Sequence, residues 1–544
     1  RREVLDRLAG LLAVPASTLA ERLEDDRASP YAPVPVAEDV DEAVMIHLRE
    51  RKDDFPGVVA SRVAVRTYPF GSLAAHVLGY VGEMTEADVA RGGDDDLGGT
   101  IGKAGVEAVF DEHLRGVDGE TRVEVDADGT PLRVVGRRAP VPGHDVVLSI
   151  DADVQRRTEE SLAAGLAGAR RRQFEGSGQT FAADAGSVVV LDAGEGSVLA
   201  MASWPTFDLP GLADGVSEAE AAALFDEERA PFANRAVLGQ YAPGSTWKLV
   251  TAAAALERGL ITPSTTIDDQ GTFTIPGCVR ECDRGNAGGA AYGTVDVGRA
   301  LTVSSDVFFY TQGAAFWRDQ ERFGETPIQD TAAAFGFGAE TGVALPAEAE
   351  GRVVTPRSRA QLHAEDPVAF PEGGWFVGDN VNLAIGQGDL TVTPIQLANA
   401  YATLANGGLR YRPNTALRVQ DQDGAVVETF PPRPEPRVML PDGVRDPIVA
   451  GLLGATSAPR GTATAPFAGW AQDRVPVAGK TGTAQARPKQ DTALFTAVAP
   501  VAPGTPPRFV VSVVMEQAGF GADAAAPVGR AVLEAALART PVPG

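Results

Sequence analysis

The sequence predicts an α+β multidomain fold, with a mixed α/β domain over residues 1–150 and a larger domain over residues 151–544. Three observations predict it. At 544 residues the chain is long enough for two or more domains, each with its own core. Its texture changes near residue 150, from short helical patterns alternating with Val-rich strands to long Ala-rich helices and glycine loops. Strand-sized apolar runs, SVVVL (187–191) and FVVSVVM (509–515), lie either side of this mostly helical middle, so a single sheet combines early and late strands.

The elements follow in order. LDRLAGLLAVPASTLAERLEDD predicts two amphipathic helices broken near Pro15. SRVAVRTYP and TRVEVDADGTPLRVV alternate apolar and polar residues as half-buried strands do, and DADGTP turns the second into a hairpin. His76 and Asp111 have no cluster of partners, so this first domain reads as scaffold. LSIDADVQRRTEESLAAGLAGARRR (148–172) predicts one helix, with Asp151 near its start and basic residues in its last turns. GSVVVLDAGEGSVLAMAS is a β-hairpin turned at DAGEG. PPRPEPRVMLPDG (431–443) is a Pro-rich surface connection, and the chain closes with the strand RFVVSVVMEQ and the helix VGRAVLEAALAR.

Composition narrows the function classes. Hydrophobic residues at 44% and charged residues at 22% are those of a globular protein. A net charge of −25 argues against nucleic acid, whose phosphates require a basic surface. No window reaches the ~18 apolar residues that a membrane helix needs. The chain opens on RREVLDRLAG with neither Met nor signal peptide, so any membrane anchor is expected upstream of Arg1. Cys278 and Cys282, in PGCVRECDRGN, allow two readings: a disulfide closing a small loop, or a metal site with Asp283 nearby. Two cysteines without a neighbouring His are a weak zinc signal, which favours the disulfide.

The chemistry is carried by serines and scarce lysines. There are five lysines among 48 basic residues, and one of them, Lys248, follows Ser245 by three positions in GQYAPGSTWKLVTAAAALERGL. Residues i and i+3 of a helix share a face, and a desolvated lysine can take a serine proton. The Pro-Gly turn places Ser245 at a helix N-terminus, where free N–H groups favour negative charge. An N-cap serine beside a solvated lysine is the plain alternative, since chance alone supplies about 0.17 Ser-x-x-Lys pairs in such a composition. Two further clusters decide between them. LTVSSDVFFY (301–310) offers Ser304 and Asp306 ahead of an aromatic helix, and VAGKTGTAQ (477–485) is a strand with Lys480 and Gly482 on one side and Thr481 and Thr483 on the other. Ser-x-x-Lys, Ser-x-Asp and Lys-Thr-Gly in this order match the triplet of penicillin-recognising acyl-serine enzymes.

The chain thus resembles the class B penicillin-binding proteins, most closely the cell-elongation type called penicillin-binding protein 2. YPFGSLAAHVLGYVGEM and GTIGKAGVEAVFDEHLRGVDGETRVEVDADG resemble the family's non-catalytic pedestal. NRAVLGQYAPGSTWK, NLAIGQGDLTVTPIQLANAYATLANGG and AGKTGTAQ resemble its transpeptidase domain. No glycosyltransferase signature precedes them, which disfavours the bifunctional class A. The resemblance implies a pedestal over 1–150 and, over 151–544, a transpeptidase domain built on an antiparallel sheet flanked by helices.

It also implies roles. Ser245 is the nucleophile toward the penultimate D-alanyl carbonyl of a peptidoglycan stem peptide, and Lys248 its general base. Ser304, hydrogen-bonded to Lys248 and Lys480, relays the proton to the leaving D-alanine. Asp306, at a position that is often Asn, orients substrate or Lys248. Lys480 and Thr481 bind the terminal carboxylate of substrate or β-lactam, alongside Gly482 and Thr483. The backbone N–H groups of Ser245 and Thr483 form the oxyanion hole.

The implied partners are stem peptides, β-lactams, a membrane SEDS-type (RodA-like) glycosyltransferase and other elongation-complex proteins, at the extracytoplasmic face of the bacterial cytoplasmic membrane. Some elongation-type relatives hold zinc through a His ahead of the second motif and a Cys inside it. Tyr292 and Ser305 stand at those positions here, so no zinc and no cofactor are expected. The alternatives are a division-type transpeptidase, a β-lactamase or β-lactam sensor, and an inactive wall-synthesis scaffold. No Glu-x-x-Leu-Asn element supplies a deacylation base, and the intact triplet argues against an inactive scaffold.

Overall fold

The computed structural model describes residues 2–23, 34–37, 40–61, 65–90, 100–125, 131–174, 177–214, 222–226, 228–502 and 504–539. Two compact units emerge, one of Arg1–Pro69 with Val81–Lys103, the other of Phe70–Tyr80 with Ala104–Gly544. By compactness, then, part of the first 150 residues belongs with the larger unit.

In the smaller unit, helices Arg2–Leu12 and Ala16–Leu23 break around Pro15 and pack Leu8 and Leu19 against Leu48 and Phe55. Strands Val81–Glu83 and Thr100–Gly102 pair antiparallel, and Lys103 Nζ donates to Asp88 Oδ2 at 2.5 Å. The strand expected over SRVAVRTYP does not form among its described residues. Val65 is 77% exposed, so it has no core face to occupy, and residues 62–64 lie outside the described ones.

The larger unit is built on a five-stranded antiparallel sheet. Its strands are β1 (Gly186–Asp192), β2 (Val198–Trp204), β3 (Ala478–Ala484), β4 (Thr492–Ala499) and β5 (Phe509–Met515), in the order β3-β4-β5-β1-β2. Val511 faces Val190, and Lys480 faces Thr496. The early hairpin therefore pairs with the late strands, at β5, as their Val-rich runs predict. Those runs are continuous because both sheet faces are covered. Val188, Val190 and Val511 meet α1 (Ala152–Ala169) and the C-terminal helix Ala525–Arg539 on one face. Val189, Leu191 and Val510 meet the helical lobe on the other. Antiparallel sheets usually wet one face; here neither is wet.

Helix α1 starts later than the sequence pattern suggests, because Asp145–Leu148 is taken by a strand pairing with Ala416–Gln420. The Asp151 side chain caps it, accepting from the N–H groups of Asp153 and Val154. Strands Glu120–Val125 and Pro131–Arg138 form the expected hairpin, whose turn residues 126–130 lie outside the described residues. His76 is buried and bonded to the Pro231 carbonyl, and burial pushes its imidazole down to about 4, a structural neutral histidine. Asp111 pairs with Arg115 one turn on. Among the described residues no helix is long and apolar enough to cross a membrane.

Candidate active site

Three elements bring the motifs together. Gly244–Trp247 forms a short 3-10 turn that runs directly into α2 (Lys248–Glu257). Helix α3 (Val297–Val303) ends at Ser304, and α4 (Asp306–Arg318) begins two residues later. Strand β3 is a sheet edge, so it presents main-chain groups that no neighbouring strand takes up.

Glycines allow the close approach of these elements. Gly244 sits at φ +51°, and a Cβ there would lie 2.6 Å from the Thr483 carbonyl oxygen. A Cβ on Gly386 would lie 2.2 Å from the Gly244 carbonyl, whose own N–H donates to Gly386 O at 2.9 Å. The Pro-Gly before Ser245 thus seats the turn that carries Ser245 against β3.

Ser245 is half-buried, while Thr246, Trp247 and Lys248 are buried. Lys248 Nζ donates to Asp306 Oδ1 at 2.7 Å, to the Ser304 carbonyl at 2.9 Å and to Ser304 Oγ at 3.1 Å. Lys480 Nζ donates to the same Ser304 Oγ at 2.7 Å and to the Thr481 carbonyl at 3.1 Å. Ser304 itself has a left-handed backbone, φ 61° and ψ 41°, an unusual conformation for a residue with a side chain. Such strain persists where the surroundings hold it, and it aims the hydroxyl between two lysines.

Both lysines are fully buried. Burial pushes the Lys248 amine below its ordinary value, against the pull of Asp306 and Asp269. Burial pushes Lys480 well below its own, aided by the positive charge of Lys248 and opposed by Asp306. A hydroxyl has one proton and two lone pairs, so Ser304 can accept from one lysine ammonium and donate to the other as a neutral amine. The arrangement can act as a proton bridge.

The structure therefore gathers Ser304, Asp306, Lys248 and Lys480 into one hydrogen-bonded group, with Ser245 on the turn that leads into Lys248. Lys480, being buried, lies beneath the site rather than at its surface. Thr481 Oγ1 donates to Thr462 Oγ1 at 2.8 Å, and Thr483 Oγ1 accepts from the Gly521 N–H at 3.3 Å. Gly482 faces the nucleophile turn, its missing Cβ 3.0 Å from Pro243 O. Sequence reasoning did not find Thr462, whose surroundings (RGTATAP) carry no motif, nor Gln387, whose Nε2 reaches the Thr483 carbonyl. Cys278 and Cys282 are disulfide-bonded, which resolves the two readings of that loop.

This fold and site define a penicillin-recognising serine acyltransferase. The family model described as the Penicillin binding protein transpeptidase domain matches residues 186–534, and that of the Penicillin-binding Protein dimerisation domain matches residues 1–148. The chain is 32% identical to Peptidoglycan D,D-transpeptidase MrdA of Haemophilus influenzae, over 94% of this chain and 75% of the relative. It is similar to Pseudomonas aeruginosa penicillin-binding protein 2, solved in complex with WCK 5153, at a TM-score of 0.69 and 30% identity over 88% of this chain and 93% of that one. A chain from a peptidoglycan synthase complex, solved to show how polymerization and crosslinking are coordinated, shares 31% identity at a TM-score of 0.72, covering 98% of this chain and 85% of that one. The chain belongs to the class B penicillin-binding proteins, on the elongation-type branch of peptidoglycan D,D-transpeptidases.

Proposed function

We propose that the chain cross-links peptidoglycan stem peptides in cell-wall elongation through an acyl-enzyme on Ser245. The observation that carries this reading is the double engagement of Ser304 Oγ by two buried lysines, 3.1 Å from Lys248 and 2.7 Å from Lys480. Neutral Lys248 takes the Ser245 proton as Oγ attacks the penultimate D-alanyl carbonyl. The N–H groups of Ser245 and Thr483 receive the oxyanion. The proton then passes through Ser304 to the departing D-alanine nitrogen, and the C–N bond breaks. The amine of a neighbouring stem peptide attacks the ester, forms the new amide and returns Ser245. Lys480, Thr481 and Gly482 hold the terminal carboxylate, Lys480 by its field from below. Asp306 orients Lys248.

In this reading residues 1–150 are the pedestal and 151–544 the catalytic domain. The enzyme works at the extracytoplasmic face of the cytoplasmic membrane with a RodA-like polymerase, supported by the likeness to a synthase-complex chain. Fluorescent penicillin is expected to label the protein covalently, and Ser245→Ala to abolish the label. A wild-type protein that stays unlabelled overturns the reading.

A further inference from the structure

Behind the second motif lies a buried carboxylate that the acylation steps do not use. Asp269 ends the short strand Ile267–Asp269 and is fully buried. Its Oδ1 accepts from the Gly271 N–H and from Asn286 Nδ2, both at 2.8 Å. Its Oδ2 accepts from Ser305 Oγ at 2.5 Å and from Asn286 Nδ2 at 2.9 Å. Asn286 spends its remaining amide hydrogen on the Ala290 carbonyl at 2.7 Å.

The same two side chains hold the start of α4. Asn286 Oδ1 accepts the N–H groups of Asp306 at 2.7 Å and Val307 at 3.1 Å. Ser305 Oγ accepts that of Phe308 at 3.0 Å. Three N–H groups that a helix start leaves free are thus taken by two residues, each bonded to Asp269. Flanking Ser305 in sequence are Ser304 and Asp306, the partners of Lys248.

Zinc does not fit this cluster. Ser305 Oγ already donates its proton to Asp269, and Asn286 turns an amide hydrogen, not a lone pair, toward both carboxylate oxygens. The Tyr292 ring lies 5.3 Å from the Arg460 guanidinium carbon. Among the described residues, no group of three or more His, Cys, Asp or Glu side chains is placed to hold a metal ion.

We infer that Asp269 is a positioning residue for acylation: with Asn286 and Ser305 it forms a metal-free cluster that sets Ser304 and Asp306 against Lys248. The inference rests on the proposed acyl-serine chemistry. Loss of the cluster leaves the carboxylate pocket of β3 untouched but loosens the proton bridge, so it lowers the limiting acylation rate and not the affinity that precedes it. A misplacement of this kind costs roughly 10–100-fold.

The experiment is stopped-flow acylation by penicillin on the whole chain, with competent sites counted by active-site titration. Ser305→Ala and Asp269→Asn are expected to lower the limiting rate per competent site roughly 10–100-fold. Half-saturation should stay within about twofold, and Ser305→Thr, which keeps the hydroxyl, should restore the rate. Ser305→Ala loses one side-chain group, so it reports even where Asp269→Asn fails to fold. Acylation of the wild type is expected to be indifferent to EDTA. Wild-type limiting rates in Ser305→Ala, or a wild type slowed by EDTA, overturn the inference while leaving the acyl-serine reading intact. A wild type that is never acylated overturns that reading and the inference with it.

Discussion

Lys480 Nζ and Ser304 Oγ stand 2.7 Å apart although 176 residues separate them, and the contact is fully enclosed on the lysine side. A buried amine is tolerated there at a cost to stability, because desolvation disfavours its charge and, among the described residues, no carboxylate bonds it directly. Lys480→Met removes that desolvation together with the second arm of the proton bridge. The expected result is a loss of ~10²–10³-fold in penicillin acylation with a melting temperature raised by about 2 °C. Acylation and a thermal melt on the same preparation check it, and an unchanged labelling rate would remove Lys480 from the site.

The pH dependence follows from Lys248. In the proposed chemistry its amine must be neutral to take the Ser245 proton, and burial holds it below the ordinary 10.5 while Asp306 and Asp269 pull it up. Acylation is expected to rise with pH through this depressed value and to level off before 10.5. Asp306→Asn removes one carboxylate that favours the ammonium, so the rising limb moves to lower pH. The stability sign agrees. The folded chain binds this proton less tightly than the unfolded one, so Lys248 costs stability at low pH and that cost shrinks as pH rises from its folded value to 10.5. A limb that stays in place, or moves upward, in the variant would separate Asp306 from Lys248.

How far the sequence reached depends on whether a feature is local. Ser245 and Lys248, Ser304 and Asp306, and Lys480 with Thr481 are each fixed by spacing within a few residues, so the motifs show in the sequence before their convergence does. The sheet was legible too, because strands covered on both faces must read as unbroken runs such as SVVVL. In SRVAVRTYP, whose residues 62–64 lie outside the described ones, Val65 is exposed and no strand forms among the rest. Asp269, Asn286 and Thr462 were not legible for a different reason. Their partners lie 36, 20 and 19 residues away, and nothing in an isolated Asp, Asn or Thr announces a contact at that distance.

Gly386 tests the seating of the nucleophile turn. It combines φ +78° with a missing Cβ that would lie 2.2 Å from the Gly244 carbonyl and 2.7 Å from Trp247 Cβ. Ala at this position is strained in its backbone and overlaps main-chain atoms that cannot rotate away. Gly386→Ala is expected to cost about 2–4 kcal/mol in denaturant unfolding and to slow acylation, since the turn it displaces carries Ser245. Gly504→Ala is the control, having φ +74° but open space around its Cβ, and it should cost only the backbone share, ~1–2 kcal/mol. Equal losses in both would mean that the close approach at Gly244 contributes nothing.

Thr462 tests the proposed carboxylate pocket. Thr481 Oγ1 donates to Thr462 Oγ1 at 2.8 Å, and Thr462 is itself tied to α3 by its N–H to the Thr302 carbonyl at 3.3 Å. The hydroxyl of Thr481 is thereby held in one rotamer before substrate arrives. Thr462→Val preserves the shape but removes the acceptor, so Thr481 must choose its orientation at the moment of binding. One such neutral hydrogen bond is worth ~1 kcal/mol, and the loss should appear as a roughly fivefold weaker half-saturation for penicillin. The limiting acylation rate should hold, because Ser304 and both lysines keep their contacts. Rate against penicillin concentration separates the two quantities, and a fall in the limiting rate with unchanged half-saturation would place Thr462 with the proton bridge instead of the pocket.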